Sequence, residues 1–159
     1  MTKDPYQILY CSRNCIQGTP VQMAAEIGKI LTSSRINNVK VAVTGALIFN
    51  TVFFAQVLEG PLDGVERIFE QIQRDLRHSD LMILESGLVV ARDFPQWSMA
   101  FAGATSEESN PLVAATLNAA ANHPSAAGKQ VITLLHDLIL KEEDWALPTR
   151  LSSSAKSVG

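Results

Sequence analysis

Only two of the 159 residues are cysteine, and only 6% are aromatic. Cys11 and Cys15 lie close together in a chain with no visible export signal, so reduced thiols are expected rather than a disulfide. Histidine is as sparse: His78, His123 and His136 are scattered, neither cysteine has a histidine at a zinc-ligand spacing, and no metal site is expected. Excess positive charge is missing too. With 13 basic and 16 acidic residues the formal net charge is -3, which leaves no long-range field to gather nucleic acid or anionic lipid. No apolar run approaches the roughly 20 residues of a membrane helix, and MTKDPYQILY lacks the basic, apolar and cleavage regions of a secretory signal. The expectation is a cytoplasmic protein without nucleic-acid or membrane partners. Catalytic signatures are equally scarce: there is no nucleophile elbow, P-loop, dinucleotide fingerprint, ordered Ser-His-Asp set or paired carboxylates in a plausible cleft position. An enzyme is not expected.

What is present is core-forming material. A hydrophobic content of 47% over this length suits one compact domain with a short appendage. Tyr6 to Ser12 reads as a first strand. Thr19-Pro20-Val21-Gln22 reads as a helix start with a capping box, and Ala24, Ile27, Ile30 and Leu31 carry that helix to about Ser33. The run VKVAVTGALIF (39–49), then Asn50-Thr51, then VFFAQVLE, reads as two strands of a hairpin. In the first, Val39, Val41, Val43 and Leu47 should face one way and Ala42, Ala46 and Ile48 the other. Val65, Ile68, Phe69, Ile72 and Leu76 form a helical stripe within DGVERIFEQIQRDLRH. Leu81 to Val90 and Trp97 to Phe101 complete the strands.

The resulting β-α-β-β-α-β-β order predicts an α+β, ferredoxin-like fold: a five-stranded mixed sheet with two helices on one face. Its central strands are apolar on both sides and need a second cover. Pro111 to Ala121 and Gly128 to Lys141 read as the helical pair that supplies it. After Pro148, the small polar residues of TRLSSSAKSVG predict a loose terminus.

Against this apolar background a few polar residues stand at predicted core positions. Gln56 shares a strand face with Phe54 and Leu58, and an unmatched buried amide costs about 1 to 3 kcal/mol per orphaned group. Something polar should meet it. Tyr10 shares a face with Ile8 and Ser12, and Asn37-Asn38 follows the predicted end of the first helix. Each has a plain structural reading: a backbone-bonded core glutamine, a core tyrosine, a helix-stop turn.

Together these stretches resemble the BLUF domains, sensors of blue light using FAD. The matching segments are ILYCS with Tyr10, SSRINN with Ser34, Asn37 and Asn38, TGALIFN, FFAQVLEG with Gln56, RDLRH with Asp75, Arg77 and His78, and FPQWSM with Trp97 and Met99. They span residues 6 to 101. The resemblance implies FAD, with FMN or riboflavin as alternatives, held between the two helices. It implies Asn38 bonding the flavin ring, Ile30 and Ile72 sandwiching it, and Tyr10 bonded to a switching Gln56. Ser34, Asn37, Asp75, Arg77 and His78 match positions in or near the pocket. At Gln71 related sequences often carry Arg or His near the phosphate, and a neutral amide donates weaker bonds there.

The function so implied is blue-light sensing. Electron and proton transfer from Tyr10 leave Gln56 rotated or tautomerised, and the change passes through Trp97, Met99, the fifth strand and the C-terminal helices. The expected partition is a photosensor over 1–103, a helical extension over 104–147 and a tail over 148–159. A separate effector protein and a homo-oligomer are the expected partners. Competing readings on the same scaffold are a light-insensitive interaction module, a flavin reductase and an acylphosphatase-like hydrolase.

Overall fold

The computed structural model describes residues 4–103 and 111–145. The tail expected over 148–159 and the expected junction at 104 lie outside them. The elements are β1 (Tyr6–Asn14), α1 (Pro20–Lys40), β2 (Thr44–Phe49), β3 (Phe53–Gly60), α2 (Leu62–Gln73), β4 (His78–Leu88), β5 (Ala100–Gly103), α3 (Pro111–Asn122), a 3-10 turn (Pro124–Ala126) and α4 (Gly128–Trp145).

Local chemistry accounts for the first of these. The Thr19 hydroxyl accepts from Gln22 N at 3.2 Å and the Gln22 side chain accepts from Thr19 N at 2.8 Å, so the capping box starts α1 as its sequence predicts. Asn50 shapes the β2–β3 hairpin by accepting from the backbone of Val52 and Phe53, while Thr51 takes φ 74° at the tip.

The sheet order is β4-β1-β3-β2-β5. β1 runs antiparallel to β3 and β4, β2 antiparallel to β3, and β5 parallel to β2. This is the expected ferredoxin-like α+β arrangement. Alternation splits the core into two layers. Ile8, Tyr10, Leu47, Phe54 and Leu58 pack with Ile27 of α1 and Val65, Ile68 and Phe69 of α2. Leu9, Cys11, Ala46, Ile48, Ala55 and Val57 pack with Val113 and Leu117 of α3 and Val131 and Leu135 of α4. The C-terminal pair therefore covers the second face.

Several boundaries differ from the sequence reading. α1 continues past Ser33 to Lys40, and Asn37-Asn38 lies in its last turns instead of ending it. The stop comes later: Ala42 adopts φ 59°, Val43 N donates to Asn38 O at 2.9 Å and Ala42 N to Val39 O at 3.3 Å, a Schellman closure made without glycine. β2 accordingly begins at Thr44, not Val39, and Val39 is an exposed helical residue. Val43 still joins Leu47 in one layer, opposite Ala46 and Ile48.

α2 ends at Gln73, because the Asp75 carboxylate captures Arg77 N at 2.9 Å and turns the chain. Leu76, counted in the helical stripe, is 91% exposed. β4 starts earlier than Leu81, at His78, and ends at Leu88 rather than Val90. β5 spans Ala100–Gly103, so Trp97 and Met99 precede it. In a regular strand residues two apart share a face, yet Met99 packs in the α1/α2 layer and Trp97 against the α3/α4 layer.

Truncation separates the true core from the false stripe. Leu135→Ala in α4 should cost about 2 to 5 kcal/mol, whereas Leu76→Ala should stay within about 0.5 kcal/mol of wild type. Urea denaturation followed by circular dichroism reads both, and equal costs would contradict this packing.

Candidate functional site

Between α1 and α2 the sheet is incompletely covered, leaving a cavity of about 340 Å³. Its floor is Tyr10 from β1, Leu47 from β2, and Phe54 and Gln56 from β3. Ile30, Ser33, Ser34, Asn37 and Asn38 form the α1 wall; Ile68, Gln71 and Ile72 form the α2 wall. Arg74, Asp75, Arg77 and His78, in the turn after α2 and the start of β4, close one end. Every residue expected to touch a cofactor lines this one space. Trp97 and Met99 do not line it.

The longer α1 is what makes the wall. Because the helix continues through Asn38, residues Ile30, Ser34, Asn37 and Asn38 recur at helical spacing and share one face. The β1–β3 register sets Tyr10 opposite Gln56. The Tyr10 hydroxyl donates to Gln56 Oε1, and Gln56 Nε2 donates to Met99 Sδ at 3.4 Å. So the buried glutamine is met by a phenol and a thioether, the latter a weak acceptor.

Asn38 is the other buried amide, 1% exposed. Its Nδ2 donates to Ser98 O at 2.7 Å, while Oδ1 is the single buried side-chain polar atom without a partner among the described residues. An orphaned acceptor of this kind costs about 1 to 3 kcal/mol. Asn38 is among the residues lining the cavity, and a ligand N–H reaching this oxygen would satisfy it. The apolar faces of Ile30 and Ile72 and the hydroxyls of Ser33 and Ser34 suit a planar heteroaromatic group with a polar tail.

The closed end is an ion-paired turn. Arg77 Nη2 lies 2.7 Å from Asp75 Oδ2, and Arg77 Nη1 lies 3.8 Å from Glu26. Hydrogen bonding to Arg77 holds the Asp75 carboxyl below its ordinary range, and Asp75 in turn raises the guanidinium. His78 Nε2 lies 2.6 Å from Ile72 O, which can only accept, so Nε2 carries hydrogen; Nδ1 meets the Ser12 hydroxyl at 2.7 Å. Burial, and secondarily the Asp75 charge, push the Tyr10 phenol well above its ordinary value.

Ser33, Leu47, Phe54, Ile68 and Arg74 also line the cavity and were not singled out in the sequence. Some carried signals: Ile68 precedes Ile72 by one helical turn, and Leu47 pairs with Gln56 in the β2–β3 register. Trp97 lies on the far side of the sheet, its ring tilted against Phe94 at 6.4 Å. Cys11 is buried on that far side and Cys15 is exposed; the two thiols are free.

The phenol gives a direct test. An unfolded tyrosine ionises near pH 10 (about 10), and a folded pKa above that means Tyr10 contributes stability that is complete below about pH 10 and lost as pH rises further. In Tyr6→Phe, Tyr10 is the only tyrosine remaining of two. Ultraviolet titration of that variant should show no tyrosinate until the protein unfolds; reversible ionisation near the ordinary value would contradict the burial described.

Comparison with known proteins agrees with this geometry. The family described as "Sensors of blue-light using FAD" matches residues 6–100, more than half of the chain. The photoactivated adenylate cyclase subunit beta of Euglena gracilis is 32% identical over 78 residues, 49% of this chain and 9% of that protein. The blue light- and temperature-regulated antirepressor BluF of Escherichia coli (strain K12) is 34% identical over 74 residues, 46% of this chain and 18% of that protein. The chain thus spans less than a fifth of either relative. The dark-state structure of BlrB, a BLUF protein, superimposes with a TM-score of 0.68 at 25% identity, covering 89% of this chain and 99% of that one. With its sheet order, its cavity between α1 and α2 and this match, the chain belongs to the BLUF family of blue-light sensors using FAD.

Proposed function

We propose that the cavity between α1 and α2 holds FAD and that residues 1–103 act as a blue-light sensor reporting through the helices that follow. The orphaned Asn38 Oδ1 carries this reading: a buried acceptor without a partner, on a residue that lines the cavity, is expensive unless a ligand donor completes it. In this reading Asn38 bonds the flavin ring, Ile30 and Ile72 flank it, and Ser34, Asn37, Asp75 and His78 shape the pocket around the tail. When bound, the flavin supplies blue-light absorption and the electron-accepting excited state.

The remaining chemistry belongs to the chain. Tyr10 is a neutral phenol and can give up an electron followed by its proton. Gln56, which accepts from that phenol, passes the proton on; recombination returns both to Tyr10 and leaves the Gln56 amide changed. Turning an amide exchanges a donor for an acceptor at nearly constant volume, so the bonds to Tyr10 and Met99 Sδ are the ones that must re-form. Arg77 is neutralised by Asp75 and Glu26 and Gln71 is uncharged, so Arg74, 3.8 Å from Glu70 and largely exposed, is the lining cation best placed for the phosphates. The output is a separate effector protein, met through the C-terminal helices or a homo-oligomer, and the chain itself performs no catalysis.

Absorption spectra test this. Wild type supplemented with flavin should be yellow and show a reversible red shift under blue light, and Gln56→Leu and Tyr10→Phe should each lose the normal photocycle. Protein that stays colourless after supplementation, or a normal shift in Gln56→Leu, would refute the assignment. Asn38→Ala should weaken flavin binding about tenfold, for about 1.4 kcal/mol of lost hydrogen bonding.

A further inference from the structure

The cavity leaves one buried charged group unused. Glu59, at 0% exposure, lies on the opposite face of the sheet, paired with Gln7 in the β1–β3 register. Its Oε2 accepts from Gln7 Nε2 at 2.8 Å and from Asp93 N at 2.7 Å, and its Oε1 accepts from Phe94 N at 2.8 Å. A carboxylate inside a core is tolerated only when donors surround it, and here two of three are backbone amides of the loop joining β4 to β5. Glu59 therefore fixes where that loop sits.

The same loop holds α4. Gln7 Nε2 also donates to Asp93 Oδ2 at 2.8 Å, and Asp93 Oδ1 lies 3.2 Å from His136 Nε2 on α4. The His136 ring stacks on Phe94 at 4.6 Å. One side of this loop is thus held by the sheet, and the other meets α4 through the bonded and stacked His136 and through Phe94, which lies in the same apolar cluster as Val131 and Leu135.

Residues 97–99 connect this arrangement to the cavity. Met99 Sδ touches Gln56 on one side of the sheet, and Trp97 packs on Phe94 on the other. Their backbone carbonyls are held by Gly45 N (to Trp97 O), Asn38 Nδ2 (to Ser98 O) and Arg35 Nε (to Met99 O). Gly45 sits close against β3, where a Cβ would lie 2.0 Å from Val57 O, and the same Cβ would meet Met99 Cε at 3.4 Å. Two residues from Met99, the Trp97 ring packs on Phe94, which in turn stacks on His136 of α4.

We propose that Glu59, Asp93 and His136 form a latch fastening α4 to the β4–β5 loop, and that movement of residues 97–99 opens it. His136 is a positioning residue: it touches nothing in the cavity, and its effect is on whether α4 is docked. The latch has two discrete states, the bonded and stacked His136 and a released one, as transmission between separated sites requires. The inference rests on the flavin reading given above, and the experiment separates the two.

Hydrogen–deuterium exchange over residues 131–139, in darkness and under blue light, is compared for wild type, His136→Phe, Asp93→Ala and the double variant. His136→Phe keeps an aromatic ring against Phe94 but loses the bond to Asp93; Asp93→Ala removes the other end of that bond without touching α4. Wild type should exchange faster in light. Both single variants should keep the flavin colour and red shift, exchange faster in the dark and lose the light–dark difference, and the double variant should add nothing to either. The latch is overturned if wild type shows its red shift without a change in α4, or if the difference persists in both single variants. A wild type with no red shift at all counts against the flavin reading instead.

Discussion

The structure depends on a hydrogen bond made across the middle of a β-sheet. Tyr10 and Gln56 face each other in the β1–β3 register, both nearly inaccessible to water, in a layer whose apolar members are Ile, Leu, Val, Phe and Met99. Two polar side chains in such a place are tolerable only if each answers the other. Their mutual bond leaves the glutamine amide one further contact, the weak one to Met99 Sδ. The pair is satisfied but not saturated, which is the condition under which an amide can be re-oriented at modest cost.

The two-layer core turns that local condition into a protein-wide one. α1 and α2 do not meet fully over the sheet, so the polar pair lies at the floor of a cavity instead of under packed side chains. The opposite face is sealed by α3 and α4 on an apolar layer. Residues 97–99 precede the β5 ladder and also divide between the layers, Met99 on the cavity side and Trp97 on the helical side. They do so because their carbonyls bond to α1 and β2, and the sheet ladder with β5 begins only at Ala100.

Much of the site was legible because its residues break the surrounding pattern. Gln56 within FFAQVLEG and Tyr10 within ILYCS are polar where alternation demands apolar side chains, and both lie on the cavity floor. The end of α1 was not legible. Its terminating residue is Ala42 in a left-handed conformation, where glycine or asparagine would have marked a stop, and the valines at 39, 41 and 43 imitate strand alternation. The misplaced end removed Asn37 and Asn38 from the helix that presents them. The Glu59–Asp93–His136 contacts were invisible for a different reason: they join residues 34 and 43 positions apart, with no local pattern to announce them.

Residue order alone determined the α+β class, the pairing of β2 with β3, the capping box that starts α1 and the apolar stripes that bring α2 and α4 onto the sheet. Those properties follow from periodicity and from bonds spanning a few residues, which short stretches of chain already contain. Only the tertiary structure decided that Asn38 keeps an acceptor without a partner, that Trp97 and Met99 part to opposite faces, and that Glu59 is buried yet three times hydrogen-bonded. Each of these depends on where distant backbone comes to rest, and the packing of two layers against one sheet sets that position.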